Sequence, residues 1–230
     1  LRLPFHTLAE HEADRLTGEK TILFPSVKRL EGKALDNWIR AAQGRKLFVS
    51  GPIAQDGWGQ PTEGLSAFGV REKRVEVQPE EILKLKKGIQ SLSYGSHKTN
   101  WVDKDLSLFP ELHHFSRNKT SLHYIPVPVE ANDQRRVVES FYREMAVLAG
   151  IKPYCEMSGA SDWEVTVLPR VFSKTVLYIA VNEGSFDRLI RIKDTKFGFK
   201  AALSVPAGRA ALVVFDAKGK VLVRYHSPDF

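Results

Sequence analysis

The hydrophobic pattern of this 230-residue chain changes near residue 155, and this change most constrains what the chain can fold into. Before it, apolar runs of strand length alternate with apolar residues at helical spacing. After it, short segments with a period of two follow one another, separated by turn-forming residues. We therefore predict an α/β domain over residues 1–155, followed by a small antiparallel β-sandwich or barrel over residues 156–230.

The first part contains strand and helix signals joined by short links. Thr21–Phe24 and Leu47–Val49 predict buried strands, and Ser121–Ile125 predicts a third. Two sets of apolar residues have helical spacing: Ala34, Leu35, Trp38, Ile39 and Ala42, and then Val137, Val138, Phe141, Tyr142, Met145 and Leu148. A strand–helix–strand unit with short links favours parallel pairing, so we predict a mostly parallel sheet.

The second part contains only strand signals. Period-two alternation marks Trp163–Val167 and parts of four further runs, which are Thr175–Val181, Arg188–Ile192, Ala210–Phe215 and Val221–Tyr225. Turn-forming residues separate most of these runs, and no helical pattern follows Gly150. Short strands at this spacing are typical of an antiparallel sandwich.

Composition excludes several classes of protein. Hydrophobic residues make up 43% of the chain, which is too many for a disordered protein. A single cysteine, Cys155, excludes a disulfide framework. No apolar run approaches the ~18–20 residues that a membrane span needs, so we expect no membrane partner. The chain starts at Leu1 without a methionine or a signal peptide, from which we expect a start inside a longer gene product.

Catalytic and cofactor motifs are missing from the sequence. The loop with Gly51, Gly57 and Gly59 matches no phosphate-binding pattern, and Ser50 has no nucleophile-elbow setting. Cys155 follows a helix, so we expect a buried, unreactive thiol. Two groups of residues match no zinc spacing: His6, Glu10, His11 and Glu12, and His113, His114 and His123. We therefore predict no metal site and no cofactor.

The carboxylates offer no catalytic pair. Glycoside hydrolysis needs two carboxyl groups in a matched position. Four glutamates lie near the ends of predicted elements without forming an evident pair, namely Glu10, Glu63, Glu111 and Glu130. We predict that the chain contains no catalytic residue.

Two tryptophans are the candidate contact residues. Trp58 lies in the glycine-rich loop and Trp101 in a polar stretch, whereas Trp38 and Trp163 lie in core patterns. An exposed Trp stacks on a sugar ring or anchors a subunit interface. The alternative is that Trp58 and Trp101 each cover a local core.

Several segments together resemble the middle and C-terminal domains of family 42 glycoside hydrolases. The resemblance is carried by Thr21–Ser26, Leu35–Ile39, Gly44–Gly51, His123–Pro126 with the helix to Pro153, and Tyr178–Glu183. It departs from the family at Arg45, where the family has the second glycine of a pair. The resemblance implies an amidotransferase-like trimerisation domain and a small β-domain, which together span nearly the whole chain.

This resemblance implies a non-catalytic role. In that family, both catalytic glutamates lie on an N-terminal TIM barrel, and the amidotransferase-like domain serves oligomerisation and shields the active-site mouth. The expected partners are the barrel-bearing part of the same enzyme, further copies in a homo-oligomer and a carbohydrate substrate.

Two alternatives remain for the function. One is a stand-alone amidotransferase-like or sugar-acting enzyme. The other is a basic polyanion or nucleic-acid binder, since the net charge is +7. The positive charge is spread over both parts of the chain, so we expect no nucleic-acid partner.

Overall fold

The structure is a computed structural model that describes residues 2–226 except 28, 54, 61–63, 71–73, 77–79, 87, 96–100, 104–110 and 162–163; for 74–76, 101–103 and 226 only the backbone is described. The chain forms two compact units. One, here called the mixed unit, is His6–Ala149. The other, here called the β unit, combines Leu1–Phe5 with Gly150–Phe230.

The mixed unit is built around a four-stranded sheet in the order β1-β2-β8-β7. Its described strands are β1 (Thr21–Phe24), β2 (Lys46–Ser50), β3 (Arg74–Glu76), β4 (Glu80–Leu85), β5 (Gly88–Ser93), β6 (Trp101–Asp103), β7 (His113–Arg117) and β8 (Thr120–Ile125), and its α-helices are α1 (Gly32–Ala41) and α2 (Arg135–Ala149). Strands β1, β2 and β8 are parallel, as the sequence predicts.

The expectation of a mostly parallel α/β domain is only partly right. Strand β7 is antiparallel to β8, and the pairs β3–β6 and β4–β5 are antiparallel hairpins or ribbons. The turn between β7 and β8 places Asn118 and Lys119 in the left-handed region, at φ 48° and 66°. Two such residues form the turn that joins tightly paired antiparallel strands. The described chain is therefore mostly β, with a mixed central sheet.

Helix α1 forms because its apolar residues share one face, as predicted. Ala34, Leu35 and Trp38 are buried against residues of β1, β2 and β8. The indole of Trp38 meets Phe24 edge-on at 5.8 Å, and its N–H donates to the backbone carbonyl of Glu10 at 2.7 Å. The hydrogen bond to Glu10 attaches the start of the mixed unit to α1.

Helix α2 contributes to a second apolar cluster. Its buried Val137 and Phe141 belong to the same cluster as Leu83, Leu92 and Ile125. The two leucines come from the β4–β5 hairpin. Both the hairpin and the end of β8 thus help to bury the apolar face of α2.

The β unit consists of two antiparallel sheets with one shared core. The first sheet has the order β10-β11-β14-β15 and the second the order β13-β12-β9. The strands are β9 (Cys155–Ser158), β10 (Val165–Val171), β11 (Thr175–Asn182), β12 (Arg188–Asp194), β13 (Lys200–Val205), β14 (Ala210–Asp216) and β15 (Val221–His226). The antiparallel arrangement was predicted, whereas β9 and β13 were missed. The described part of 163–230 contains no α-helix.

A buried polar pair lies inside the core of the β unit. The carboxylate of Asp194, which is 1% exposed, accepts hydrogen bonds from the hydroxyl of Tyr178 (2.6 Å) and the backbone N–H of Phe197 (2.5 Å). Burial, followed by the contact with Asp194, raises the pKa of the Tyr178 hydroxyl. Cys155 is buried in the same core, as the sequence predicts. The pair holds together two strands from different sheets, because Tyr178 lies on β11 and Asp194 on β12.

Candidate functional site

The loop that follows β2 presents Trp58 to solvent. A carboxylate oxygen of Asp56 accepts the backbone N–H groups of Trp58 (2.9 Å) and Gln60 (2.8 Å), and the N–H of Gly59 donates to the carbonyl of Asp56 (3.0 Å). Gly59 has a φ of 81°, which only glycine adopts at low cost. The turn therefore has a defined shape, and the Trp58 side chain at its tip is 91% exposed.

The same loop is anchored at its base. The backbone N–H of Leu30 donates to the carbonyl of Gln55 at 3.0 Å, and the guanidinium of Arg29 donates to the Gln55 side chain at 3.3 Å. Ile53 is fully buried. The alternative that Trp58 covers a local core is therefore wrong. For Trp101, the backbone lies in β6 and the side chain lies outside the described residues, so its contact role stays a prediction.

A hydroxyl–carboxylate cluster occupies the carboxyl ends of the parallel strands. Ser26 follows β1, and its hydroxyl donates to one oxygen of the Glu130 carboxylate at 2.6 Å. The hydroxyl of Tyr142, on α2, donates to the other oxygen at 2.9 Å. Ser26 has a φ of 47°, a conformation that costs energy for a residue with a side chain. Burial and then the Glu130 carboxylate raise the pKa of Tyr142.

Ser50, at the end of β2, is engaged with the backbone. Its hydroxyl accepts the N–H of Val129 at 2.9 Å and donates to the carbonyl of Val127 at 3.3 Å. The neighbouring Gly51 has a φ of 75°, and a side chain there would press on Pro128. Ser50 therefore joins β2 to the segment after β8, which is a structural role.

The candidate carboxylates lie in separate local contacts. Glu10 accepts the backbone N–H of the residue before α1 at 2.9 Å, and Glu111 pairs with Lys84 at 2.9 Å. The hydrogen bond from Lys84 lowers the pKa of Glu111. Glu130 is held in the cluster described above, and Glu63 lies outside the described residues. The sequence indicated Glu130 but not its partners Ser26 and Tyr142, because those contacts join distant parts of the chain.

Of the two histidine groups, the structure brings one pair together. His114 on β7 and His123 on β8 are direct cross-strand neighbours, with ring centroids 5.0 Å apart. The His123 ring also stacks on Phe48 at 4.5 Å, with an interplanar angle of 10°. The Nε2 atoms of both rings lie within hydrogen-bond distance of the Ser121 hydroxyl, at 2.8 Å and 3.3 Å.

Burial changes the proton affinity of His123. It lowers the pKa of His123 to about 4, and the charges of His114 and Lys46 act in the same direction. The Lys46 ammonium donates to the carbonyl of Leu148, near the end of α2, at 2.6 Å. Within the described residues, no three His, Cys, Asp or Glu side chains lie close enough together to hold a metal ion.

The β unit presents an apolar surface on its four-stranded sheet. Val167, Tyr178 and Val213 are buried in the core, so the alternate residues point to the opposite side. Two rows of side chains cross that side, which we call the outer face: Leu168, Ile179, Leu212 and Tyr225, and then Arg170, Leu177, Val214 and Val223. Seven of these eight side chains are apolar or aromatic.

The second sheet of the β unit has a different surface. On β12, Arg191 and Lys193 are exposed between buried core residues, and Lys193 pairs with Glu156 on β9 at 3.0 Å. Leu189 is 54% exposed on the same side of that strand. A charged surface of this kind is stable in water, whereas the outer face leaves Leu168 48%, Val223 58% and Tyr225 54% exposed. Contiguous exposed apolar side chains mark an interaction site.

Comparison with solved structures identifies the fold. No model of a known protein family matches the chain, and no curated protein matches it either. Three β-galactosidase structures are similar: a GH42 enzyme from G. stearothermophilus (TM-score 0.61, 13% identity, 86% of this chain and 32% of that chain), an enzyme from Bacillus circulans sp. alkalophilus (0.57, 14%, 85% and 33%) and an enzyme from Rahnella sp. R3 (0.55, 10%, 86% and 32%).

These neighbours share the fold of this chain over part of their length. The chain spans about a third of each enzyme's chain (32–33%), so the shared fold is that of a partial region of each enzyme. No helix in the described residues has the length and hydropathy to cross a membrane.

The buried His123 generates a pH-dependence of stability. Its pKa is about 4 in the folded chain against an ordinary value of 6.5, so the unfolded chain takes up the proton first as the pH falls. His123 therefore favours the folded state above pH 6.5, and this contribution is lost between pH 6.5 and about 4. Burial is the largest cause of the shift, and the charges of His114 on β7 and Lys46 on β2 act in the same direction.

We expect the free energy of unfolding to fall less steeply over this range in His123→Gln than in the unchanged chain. Urea unfolding at a series of pH values measures this difference. His11→Gln, at an exposed histidine, is the control and should follow the unchanged chain. If the free energy of unfolding had the same dependence on pH in His123→Gln and in the unchanged chain, the prediction would be contradicted.

Proposed function

We propose that this chain is a non-catalytic part of a larger β-galactosidase-like glycoside hydrolase. In this proposal, it serves oligomerisation and shapes the mouth of an active site that a TIM barrel outside residues 1–230 carries. The structural similarity to about a third of the chain in each of three β-galactosidases supports the choice of enzyme class. The observation that carries the proposed role is the uncovered apolar outer face of the β unit.

The outer face offers binding energy and does not require catalytic groups. Fully burying a Leu, Val or comparable side chain contributes about 1.5–3 kcal/mol. Leu168, Val223 and Tyr225 are each about half exposed, so covering them offers about 2–4 kcal/mol on the same scale. The flanking Arg170 adds a polar group at the margin. Such a centre of apolar side chains suits association with the barrel-bearing part or with another copy of the enzyme.

Trp58 supplies a second contact in this proposal. An indole that is 91% exposed on an anchored, hydrogen-bonded turn loses little conformational entropy when it binds. A flat aromatic ring suits either a subunit interface or the face of a sugar ring. Its loop follows the end of β2, the side on which open α/β sheets bind ligands and partners.

The arrangement of carboxylates favours a non-catalytic chain. A retaining glycosidase needs two carboxyl groups about 5–5.5 Å apart and free to react with substrate. Glu130 has both oxygens occupied by hydroxyl donors, and Glu10 and Glu111 are engaged elsewhere.

A stand-alone amidotransferase-like or sugar-acting enzyme is the second candidate. One observation favours it, namely the strained Ser26 that donates to Glu130 at the carboxyl end of the sheet. The hydrogen bonds of this pair lead to the phenol of Tyr142 and not to an imidazole that could accept the serine proton. The pair is therefore better suited to holding the strand ends together.

The outer face can be tested by one lysine substitution and its matched control. In the complete enzyme, Leu168→Lys should weaken association by about tenfold or more, because a charge enters an apolar interface. Leu189→Lys changes an equally exposed leucine on the charged sheet and should assemble normally. Sedimentation velocity measures assembly, and thermal unfolding of residues 1–230 reports folding. Equal behaviour of the two variants would contradict the proposed interface.

The contact role of Trp58 can be tested in the same way. Trp58→Ala should leave the unfolding midpoint of residues 1–230 unchanged, since the side chain is 91% exposed. In the complete enzyme, it should weaken assembly or raise KM. Ile89→Ala removes another exposed apolar side chain, 65% exposed on β5, and is the control. A Trp58→Ala enzyme with unchanged assembly and KM would show that the residue makes neither contact.

Activity of the isolated chain decides between the two candidate functions. Residues 1–230 alone should not hydrolyse aryl galactosides or glucosides, whereas the complete enzyme should. Turnover by the isolated chain that disappears in Glu130→Gln would overturn the non-catalytic proposal and support the stand-alone enzyme. Colorimetric release of the aryl group under saturating substrate is the measurement, with intact mass confirming that no barrel-bearing contaminant is present.

A further inference from the structure

The paired histidines of β7 and β8 form a potential ligand set that the proposed function does not use. We propose that His114 and His123 bind a late first-row divalent cation, with Cu²⁺ preferred to Zn²⁺ and water molecules completing the coordination. Both residues belong to the mixed unit, so the site is complete within that unit. The proposal does not depend on the glycosidase assignment.

The two rings already converge on one point. Their Nε2 atoms lie 2.8 Å and 3.3 Å from the same Ser121 hydroxyl oxygen. The Ser121 hydroxyl occupies this point, so a metal ion within reach of both nitrogens would take the place of that hydroxyl. Two imidazoles that share a tetrahedral Zn²⁺, with metal–nitrogen distances of about 2.0–2.1 Å, have ring centroids roughly 5 Å apart. The observed separation of 5.0 Å is compatible with this geometry.

One ligand is fixed and the other is accessible. Stacking on Phe48 holds the plane of the His123 ring, so little freedom is lost when it binds a metal. His114 is exposed, which gives an ion a path from solvent.

The surroundings select the kind of ion. Mg²⁺ and Ca²⁺ require several oxygen ligands, and within the described residues no carboxylate joins the pair to make a three-ligand cluster. Imidazole nitrogen suits copper, nickel and zinc, and affinity at a given site rises to a maximum at Cu²⁺.

Calorimetric titration of untagged residues 1–230 with Cu²⁺, Ni²⁺ and Zn²⁺ tests the site. We expect one ion per chain, bound more tightly than by free imidazole, with Cu²⁺ the tightest. His114→Ala should weaken binding by about tenfold or more, because one of two ligands is lost. His11→Ala removes another exposed histidine and should bind as the unchanged chain does.

A second variant and a second readout keep the test independent of folding. His123→Gln preserves the volume stacked on Phe48 and should also lose the tight site, with its folded state checked by thermal unfolding. In the unchanged chain, Zn²⁺ should shift the NMR signals of His114 and His123 together and raise the unfolding midpoint. Binding no tighter than that of free imidazole, or equal affinity in His114→Ala and His11→Ala, would overturn the proposal.

Discussion

A β-sheet in water has two faces, and each must be covered or carry polar side chains. In the mixed unit, the central sheet meets this requirement with two apolar clusters, since Leu47 belongs to the cluster of α1 and Ile125 to the cluster of α2. In the β unit, the four-stranded sheet buries only one face, with Tyr178 at its centre. Within the described part of the β unit, nothing covers the other face enough to bury Leu168 or Val223. This unequal coverage supports the proposed interaction role.

The sequence of β11 already indicates the outer face, because this strand is apolar on both sides. An interpretation based on period-two alternation overlooks that signal. Strand β11 has apolar residues at Leu177, Ile179 and Val181, between core residues that are also apolar. A strand that is apolar on both sides is typical of a sheet buried on both faces. Treating the run as one buried face predicted the strand and its antiparallel partners correctly. It left unrecognised that the opposite side is too apolar for a solvent-facing surface.

Contacts between distant residues set the limit of the sequence prediction. The strands β1, β2 and β8 and both helices follow from local spacing, so they could be predicted. The β7–β8 turn uses Asn118-Lys119 in place of the common Asn-Gly, and this hid both the antiparallel strand and the pairing of His114 with His123. Trp58 could be named as a candidate contact residue, but its exposure depends on a turn whose hydrogen bonds the glycine pattern alone does not specify.

The cluster at the carboxyl ends of the parallel strands explains why surfaces, and not a pocket, are the candidate sites of function. That edge of an open sheet is where ligands usually bind. Here Ser26 and Tyr142 satisfy the Glu130 carboxylate, and Ser50 satisfies the backbone after β8. Each polar group of this cluster thus has a partner within the protein. If a substrate displaced one of these groups, a half-buried carboxylate or hydroxyl would lose its hydrogen-bond partner. The strained Ser26 consequently helps to join β1 to α2 through Glu130. This connection stabilises the end of the sheet from which the Trp58 loop extends.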